Sequence, residues 1–412
     1  MSKQLYRLAS CKPGHSFIPY LLAALLFIPA VHAEDCVPVG KVLLPASNEW
    51  INTSKLIQAS AGNKIILLGE HHDNMEHHRW QLQMIIALHT LNPKLALGFE
   101  MFPRKSQAVL DKWVRGELSE AEFLKQTDWD GYWSFDPQLY MPMFHYARMN
   151  GIPMYALNVD RDLIRQVGQQ GWANIDAEQR EGISDSAPAS EGYRQMLAGV
   201  FMQHGSQHDK KPSEEDMAKT LAMPAFNRFV ESQLVWDRAM AEAIATAVKS
   251  NADAQVVAVL GSGHMMYHFG VPEQLQAMSL PKPKALVPWD PEFECEYIQA
   301  NFADAVIGLK TIRHSEQDDK QDKPKLGVYL DTTEQGVIIS KVMPDSIAEQ
   351  MTLKDHDMII KMAGRDIAEI AEVIEIVKAT QFGTWLPITI KREDELIEFI
   401  AKFPAASKHN KD

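Results

Sequence analysis

The sequence predicts an α/β fold: a mostly parallel sheet flanked by helices, carrying a helical insertion and followed by a small α+β domain. Three observations lead there. Four apolar runs without polar alternation, residues 64–68 (KIILL), 95–99 (LALGF), 153–157 (PMYAL) and 255–260 (QVVAVL), suit strands covered on both faces. Amphipathic stretches lie between them, and strands alternating with helices mark a parallel sheet. Residues 313–325 (RHSEQDDKQDKPK) hold no large apolar side chain and read as a linker to a C-terminal region rich in β-branched runs.

Taken in chain order, residues 17–31 (FIPYLLAALLFIPAV) follow Lys3, Arg7 and Lys12 and precede Val31-His32-Ala33. This reads as a cleaved signal peptide, residues 1–33, and hence export to the periplasm. Glu34 and Asp35 stop the run short of the roughly 20 apolar residues that a spanning helix needs. No small-residue lipobox precedes Cys36, so lipid anchoring is not indicated. The expected domains are residues 34–312 and 326–404, joined by the linker. Helices are expected over residues 74–91, with Trp80, Met84 and Leu88 on one face, over 103–115, and over 119–126, where Ser119 and Glu122 form a capping box. Residues 174–250 show helical spacing (Phe226, Phe229, Val230, Leu234, Met240, Ile244) and read as the helical insertion.

Composition narrows the function. The chain has 412 residues, 46% apolar and 23% charged, which excludes a wholly disordered or fibrous protein. Removing the signal leaves 38 basic against 54 acidic residues, a net charge of −16, so non-specific nucleic-acid binding is excluded. Cys11 leaves with the signal. Cys36 and Cys295 remain as a lone pair in a compartment that permits disulfides, and a bridge between them is expected.

Each apolar run ends in polar residues that the run does not need: Gly69-Glu70-His71-His72-Asp73-Asn74, Glu100, Asn158, and Gly261-Ser262-Gly263-His264. Ligands of open α/β sheets bind outside the carboxyl ends of the strands, so Glu70, His71, Glu100, Asn158 and His264 are expected around one crevice. Asp73 or Asn74 reads as a helix cap. His77 and His78, inside the following helix, read as solvated, as do His204 and His208. No HExxH zinc motif is present, and His72 with Glu76 share only an i, i+4 spacing.

A second signal is aromatic. Residues 129–155 (WDGYWSFDPQLYMPMFHYARMNGIPMY) include eight of Phe, Trp or Tyr, where an 8% average gives about two. Asp136 can cap a helix starting at Pro137 that places Tyr140, Met143, Phe144 and Ala147 on one face and brings Tyr140 toward Asn158. An apolar slot with an axial ligand and cations for propionates is what haem requires. Tyr140, Tyr267, His145 and His264 supply ligand chemistry, and Arg104 and Arg161 supply cations.

The patterns LLGEHHDN (67–74), LGFEMF (97–102), WDGYWSFDPQLYMP (129–142), IPMYALN (152–158) and VLGSGHMMYHFGVP (259–272) resemble the ChaN family of haem-binding, iron-regulated proteins over about residues 50–275. The resemblance implies a fold similar to the TIKI proteases and erythromycin esterases, with haem bound through a tyrosine at a homodimer interface, two haems face to face. Carried over by position, Tyr140 is the first candidate for the iron ligand and Tyr267 the second. His145 and His264 are candidates for propionate contact, beside the Arg161 already read from the residues. Glu70, His71, Glu100 and His264 match the polar crevice of the wider superfamily.

The last 80 residues or so resemble a PDZ domain. Leu326-Gly327-Val328 stands at the carboxylate-binding loop and residues 371–380 at the groove helix, while His356 stands where glycine is usual. The resemblance implies docking of a peptide or protein C-terminus. Two functions follow: a periplasmic haem-binding protein in haem or iron uptake or handling, or a hydrolase of peptides or esters, with or without a metal, using Glu70, His71, Glu100 and His264.

Overall fold

The computed structural model describes residues 36–205, 213–289, 294–310, 325–333 and 335–404, the side chains of residues 204 and 205 excepted. The expected signal peptide, His208, the side chain of His204 and all of the expected linker but Lys325 lie outside the described residues. In chain order the first unit comprises β1 (Val42–Leu44), β2 (Glu49–Ile51), α1 (Thr53–Ser60), β3 (Ile65–Leu68), α2 (Met75–Leu91), β4 (Leu95–Pro103), α3 (Gln107–Val114), α4 (Glu120–Gln126), α5 (Trp129–Tyr132), α6 (Met141–Met149) and β5 (Met154–Asn158). It continues with α7 (Arg161–Gln170), α8 (Glu191–Gly205), α9 (Glu214–Ala222), α10 (Pro224–Ser250), β6 (Gln255–Val259), α11 (Val271–Ala277), β7 (Lys284–Trp289) and β8 (Ala305–Gly308).

Among the described residues these strands form an eight-stranded sheet in the order β2-β1-β8-β7-β3-β6-β4-β5. From β8 to β5 every neighbouring pair is parallel, and β1 and β2 add an antiparallel edge. The unbroken apolar runs are explained by helices on both faces. Ile66, Leu68, Leu97, Phe99, Val257 and Val259 meet Trp80, Met84 and Leu88 of α2, Trp113 of α3 and Phe144 of α6. Ile65, Leu67, Ala96, Val256 and Ala258 meet Met240, Ala241, Ile244 and Ala247 of α10 and Leu275 of α11. Each buried Val, Leu, Ile, Phe or Met among them contributes about 1.5–3 kcal/mol relative to exposure.

Local signals place most boundaries. Asn74 caps α2 through its side chain, and Ser119 with Glu122 forms the capping box of α4. Three boundaries differ from expectation, one being the helix expected from Pro137, which is a single 3-10 turn over Pro137–Leu139 capped by Asp136 before α6 starts at Met141. β4 runs on to Pro103 through an irregularity after Phe99, so the helix expected from residue 103 starts at Gln107. Its pairing with β6 nevertheless ends at Phe99, which leaves Glu100 as the first residue beyond that ladder. The stretch expected as an insertion divides: α10 is an integral layer on the sheet, whereas α8 packs on the first half of α10 through Tyr193, Leu197, Phe226 and Val230.

The second unit is an antiparallel sheet of β9 (Val328–Thr333), β10 (Gly336–Val342), β11 (Met358–Met362), β12 (Arg365–Asp366), β13 (Trp385–Arg392) and β14 (Glu395–Lys402), with helices at Ile347–Gln350 and Ile370–Ala379. Its core gathers Leu326, Val337, Ile339, Ile359, Val373, Ile376, Ile388 and Ile390. Gly327 has φ +81, and a Cβ there would stand 2.2 Å from Ser346 Cβ, so glycine is required in this loop. His356 takes φ +71, which is why glycine suits that position.

Cys36 and Cys295 are disulfide-bonded, with Cα atoms 5.4 Å apart. The bridge ties the first described residues to the connection between β7 and β8, and backbone bonds tie the next ones to the end of β8, where Gly40 N–H donates to Gly308 O and Gly308 N–H to Lys41 O. Replacing both cysteines by serine is expected to lower unfolding free energy by about 2–4 kcal/mol. A urea midpoint unchanged from that of the oxidised wild type would contradict this.

Candidate functional site

Glu70 stands two residues beyond the end of β3, with no side-chain exposure. Its Oε1 lies 2.6 Å from His72 Nδ1, and its Oε2 lies 3.0 Å from His78 Nδ1. Tyr140 Oη donates to Glu70 Oε1 at 3.3 Å and to His72 O at 3.2 Å. His78 is ringed by acceptors: Nε2 faces His72 O at 3.1 Å, and Nδ1 faces Gln81 Oε1 at 3.2 Å. The Gln81 amide donates to Leu68 O and Gly69 O, which turns its oxygen toward His78. Both His78 nitrogens therefore carry protons. The Nδ1 proton points at Gln81 while the charge neutralises Glu70 Oε2, an oxygen without a hydrogen-bond donor of its own.

The electrostatics follow. Burial pushes the Glu70 carboxyl up, but the His78 charge and the hydrogen bond from His72 outweigh it and hold the group well below the usual carboxylate range. Burial pushes His72 down, yet the Glu70 hydrogen bond and charge, helped by Glu100 and Asp73, raise it to about 9. His78 is raised against burial by the Glu70 charge. Tyr140 is raised well above 10, first by burial and then by the Glu70 charge.

A second cluster adjoins the first. Gly261 N–H, just past β6, donates to Glu100 Oε2 at 2.6 Å, and Glu100 Oε1 lies 3.7 Å from His264 Nε2. His264 Nδ1 is 2.6 Å from Asp237 Oδ1, and Trp236 packs edge-on to the His264 ring. His264 is raised because the Asp237 hydrogen bond and the Glu100 charge overcome its burial. Asn158 serves the backbone, donating to Glu100 O at 2.9 Å. The clusters meet at Gly261, where a Cβ would stand 3.2 Å from His72 Cε1 and 3.6 Å from Glu100 Oε2. His72 packs against Trp133 and Phe135, ring centroids 4.7 and 5.2 Å away, so part of the aromatic strip walls the crevice.

Glu70, Glu100 and His264 are thus brought together, with Tyr140 beneath them. His71 stands aside in the turn, where its N–H donates to His77 Nδ1 at 2.9 Å, and the imidazole that meets Glu70 is His72. His77 and His78 are buried rather than solvated, because the first turn of α2 points into the loop it caps. His145 lies elsewhere, pairing with Glu120 at 3.1 Å and packing on Trp113. Arg104 is engaged by Glu242 and Ala239 O. Arg161, opening α7, places its guanidinium over Tyr132. Leu326, Gly327 and Val328 belong to the second unit. Sequence reasoning missed Asp237 and Tyr193. Asp237 had a signal: an acid on the apolar stripe of α10 between Leu234 and Met240. Tyr193 had none.

The two tyrosines differ as iron ligands, which must lose a proton. Tyr140 has no exposure, and its hydroxyl is committed to Glu70 and His72. Tyr267 is half-buried, and it is raised first by burial and then by the neighbouring Tyr297; its hydroxyl donates to Tyr297 O at 2.8 Å. Its ring packs on Phe269 and Phe302, and its backbone, like that of His268, is left-handed (φ 58 and 60). Buried Phe302 supports the Tyr267 ring and half-buried Phe269 packs beside it, an apolar setting of the kind a porphyrin requires. Among the described residues no group of three or more His, Cys, Asp or Glu side chains is arranged to hold a metal ion.

The Glu70 cluster gives stability a pH profile. His72 titrates near 6.5 when unfolded and about 9 when folded, so its contribution is complete below pH 6.5 and lost as pH rises through 9. Glu70 has the opposite sign: its contribution is present above pH 4.5 and lost as pH falls below it. The melting temperature should therefore peak between pH 4.5 and 6.5, and Glu70→Gln should flatten both limbs. Parallel profiles for variant and wild type would refute this.

The family model described as haem-binding uptake, Tiki superfamily, ChaN, matches residues 56–275, and the PDZ domain model matches residues 312–390. Among solved structures, ChaN of Campylobacter jejuni, described as binding haem cofacially, is similar with a TM-score of 0.50 and 19% identity, covering 65% of this chain and 95% of that one. An erythromycin esterase in its open conformation gives a TM-score of 0.34 at 12% identity, over 57% of this chain and 72% of its own. The PDZ domain of HtrA3 bound to a phage-derived ligand gives 0.18 at 22% identity, over 19% of this chain and 84% of its own. No curated protein matches. The likeness to the Campylobacter structure shows the fold, and the family model covers more than half of the chain: this protein belongs to the ChaN family of haem-binding uptake proteins, and it carries a PDZ domain after that family's α/β unit.

Proposed function

We propose that this protein binds haem in the periplasm, in uptake or handling of haem iron, and that its PDZ domain docks the C-terminus of a partner polypeptide. Membership of the haem-binding family supports the ligand, and the observation that carries the site is the exposure of Tyr267 where Tyr140 has none. The apolar run before Ala33 and the Cys36–Cys295 bridge support the compartment. Bound haem would supply its iron. Tyr267 would give up its proton and its bond to Tyr297 O, while half-buried Phe269 offers apolar surface beside it and buried Phe302 supports its ring.

A second reading has its own observation, the approach of His264 Nε2 to Glu100 Oε1 with Asp237 behind. In an ester or amide hydrolysis, a water oxygen would bond to the carbonyl carbon as Glu100 takes the water proton. Protonated His264 would deliver a proton to the leaving oxygen or nitrogen, and the proton on Glu100 would then return to His264.

Haemin added to the mature protein should give a saturable Soret shift with a tyrosinate charge-transfer band. Tyr267→Phe should remove that band and Tyr140→Phe should leave it. A spectrum indifferent to Tyr267→Phe would overturn the ligand assignment. Gly327→Val should abolish capture of peptides with a free carboxyl terminus while leaving the Soret titration unchanged, and retained capture would remove the docking role from this loop.

A further inference from the structure

Behind His264 lies a buried chain of two side chains from different helices. Asp237, on α10, is fully buried, and its oxygens face opposite ways: Oδ1 meets His264 Nδ1 at 2.6 Å, and Oδ2 accepts from Tyr193 Oη of α8 at 2.6 Å. A carboxylate only accepts, so His264 Nδ1 must donate. Glycines allow the approach. Gly270 has φ +62, and a Cβ there would stand 2.7 Å from His264 O and 3.1 Å from both Asp237 oxygens; a Cβ at Gly192 would stand 2.6 Å from the Phe269 ring that stacks on Tyr193. The other charged groups facing this chain are Glu100 and His72 across the crevice and Glu273 of α11.

We propose that Asp237 and Tyr193 are positioning residues that keep His264 Nδ1 protonated and aim Nε2–H at Glu100, for acid–base work on an ester or amide. This rests on the hydrolytic reading of the crevice. The Tyr193 hydroxyl is what makes the arrangement one-way. With Asn in place of Asp237, that hydroxyl donates to the amide oxygen, which leaves the NH₂ facing His264 Nδ1. Two donors cannot share that contact, so Nδ1 must lose its proton and His264 becomes a neutral Nε2–H tautomer, no longer an acid of the required kind. The alternative, with the amide turned over, leaves the buried Tyr193 O–H without an acceptor, which is the costlier arrangement.

Full-length protein labelled with ¹⁵N-histidine reports this directly, with the His264 signals assigned by their loss in His264→Gln. Wild type and Tyr193→Phe should show a protonated Nδ1, and Asp237→Asn should show the Nε2–H tautomer. With p-nitrophenyl butyrate and an aminocoumarin peptide amide as probes, Asp237→Asn should lose turnover by about 100-fold. In Asp237→Asn combined with Tyr193→Phe the amide is free to turn its oxygen to His264, so the Nδ1–H signal should return and turnover should rise about tenfold above the single variant. A protonated Nδ1 retained in Asp237→Asn, or a double variant identical to the single, would overturn the positioning role. Wild type that turns over neither probe would remove the hydrolytic reading instead, with the tautomer signals still deciding the positioning.

Discussion

Everything at the carboxyl edge of the sheet depends on one buried carboxylate being neutralised. An ionised Glu70 without exposure is tolerable only because two imidazoles flank it, one from the loop after β3 and one from the first turn of α2. That requirement fixes the turn between strand and helix, since His72 and His78 must both fold back onto residue 70. It also draws α6 inward, because the Tyr140 hydroxyl bonds to Glu70 and to His72 O. Removal of either imidazole would leave an uncompensated charge in the core, which typically costs 3–5 kcal/mol or so.

The second constraint is steric, and glycine meets it. Gly69 leaves room for Ser262, whose Oγ would lie 2.7 Å from a Cβ at that position. Gly261 lets the His72 ring lie against the end of β6 while its own N–H binds Glu100. Two histidines then face the Glu100 region from opposite sides, each with Nδ1 at 2.6 Å from a buried carboxylate, Glu70 or Asp237. The arrangement alternates acid and base, which is how so many ionisable groups share a site that is largely removed from water.

The sequence made the central sheet legible wherever a strand is covered on both faces, because β3, β4, β5 and β6 then appear as unbroken apolar runs. The outer strands lacked that mark. β1, β2 and β8 are three or four residues long, and β7 contains Pro288, which reads as a strand breaker. Convergence of Glu70, Glu100 and His264 followed from strand polarity, a property of the topology. The choice between His71 and His72 did not, because it turns on backbone angles in a six-residue loop. His78 was legible as a helical residue but not as a buried one: its partner is a carboxylate eight positions earlier, a distance that helical periodicity cannot report. Asp237 was visible as an acid on an apolar stripe, yet only the return of the chain past β6 shows which histidine it serves.

The loop 261–270 joins the two proposed activities. Its first half supplies Gly261 and His264 to the crevice, and its second half turns outward through the left-handed pair Tyr267 and His268. Between them Phe269 packs on Tyr267 on one side and on Tyr193 on the other, with ring centroids 5.7 Å apart in each case. Tyr193 in turn holds Asp237, which holds His264. The Phe269 ring fits closely over Gly192 of α8. The phenol at the surface and the acid–base trio in the crevice are therefore supported by the same ten residues, and the backbone strain stored at 267–268 is the feature that turns the chain from one to the other.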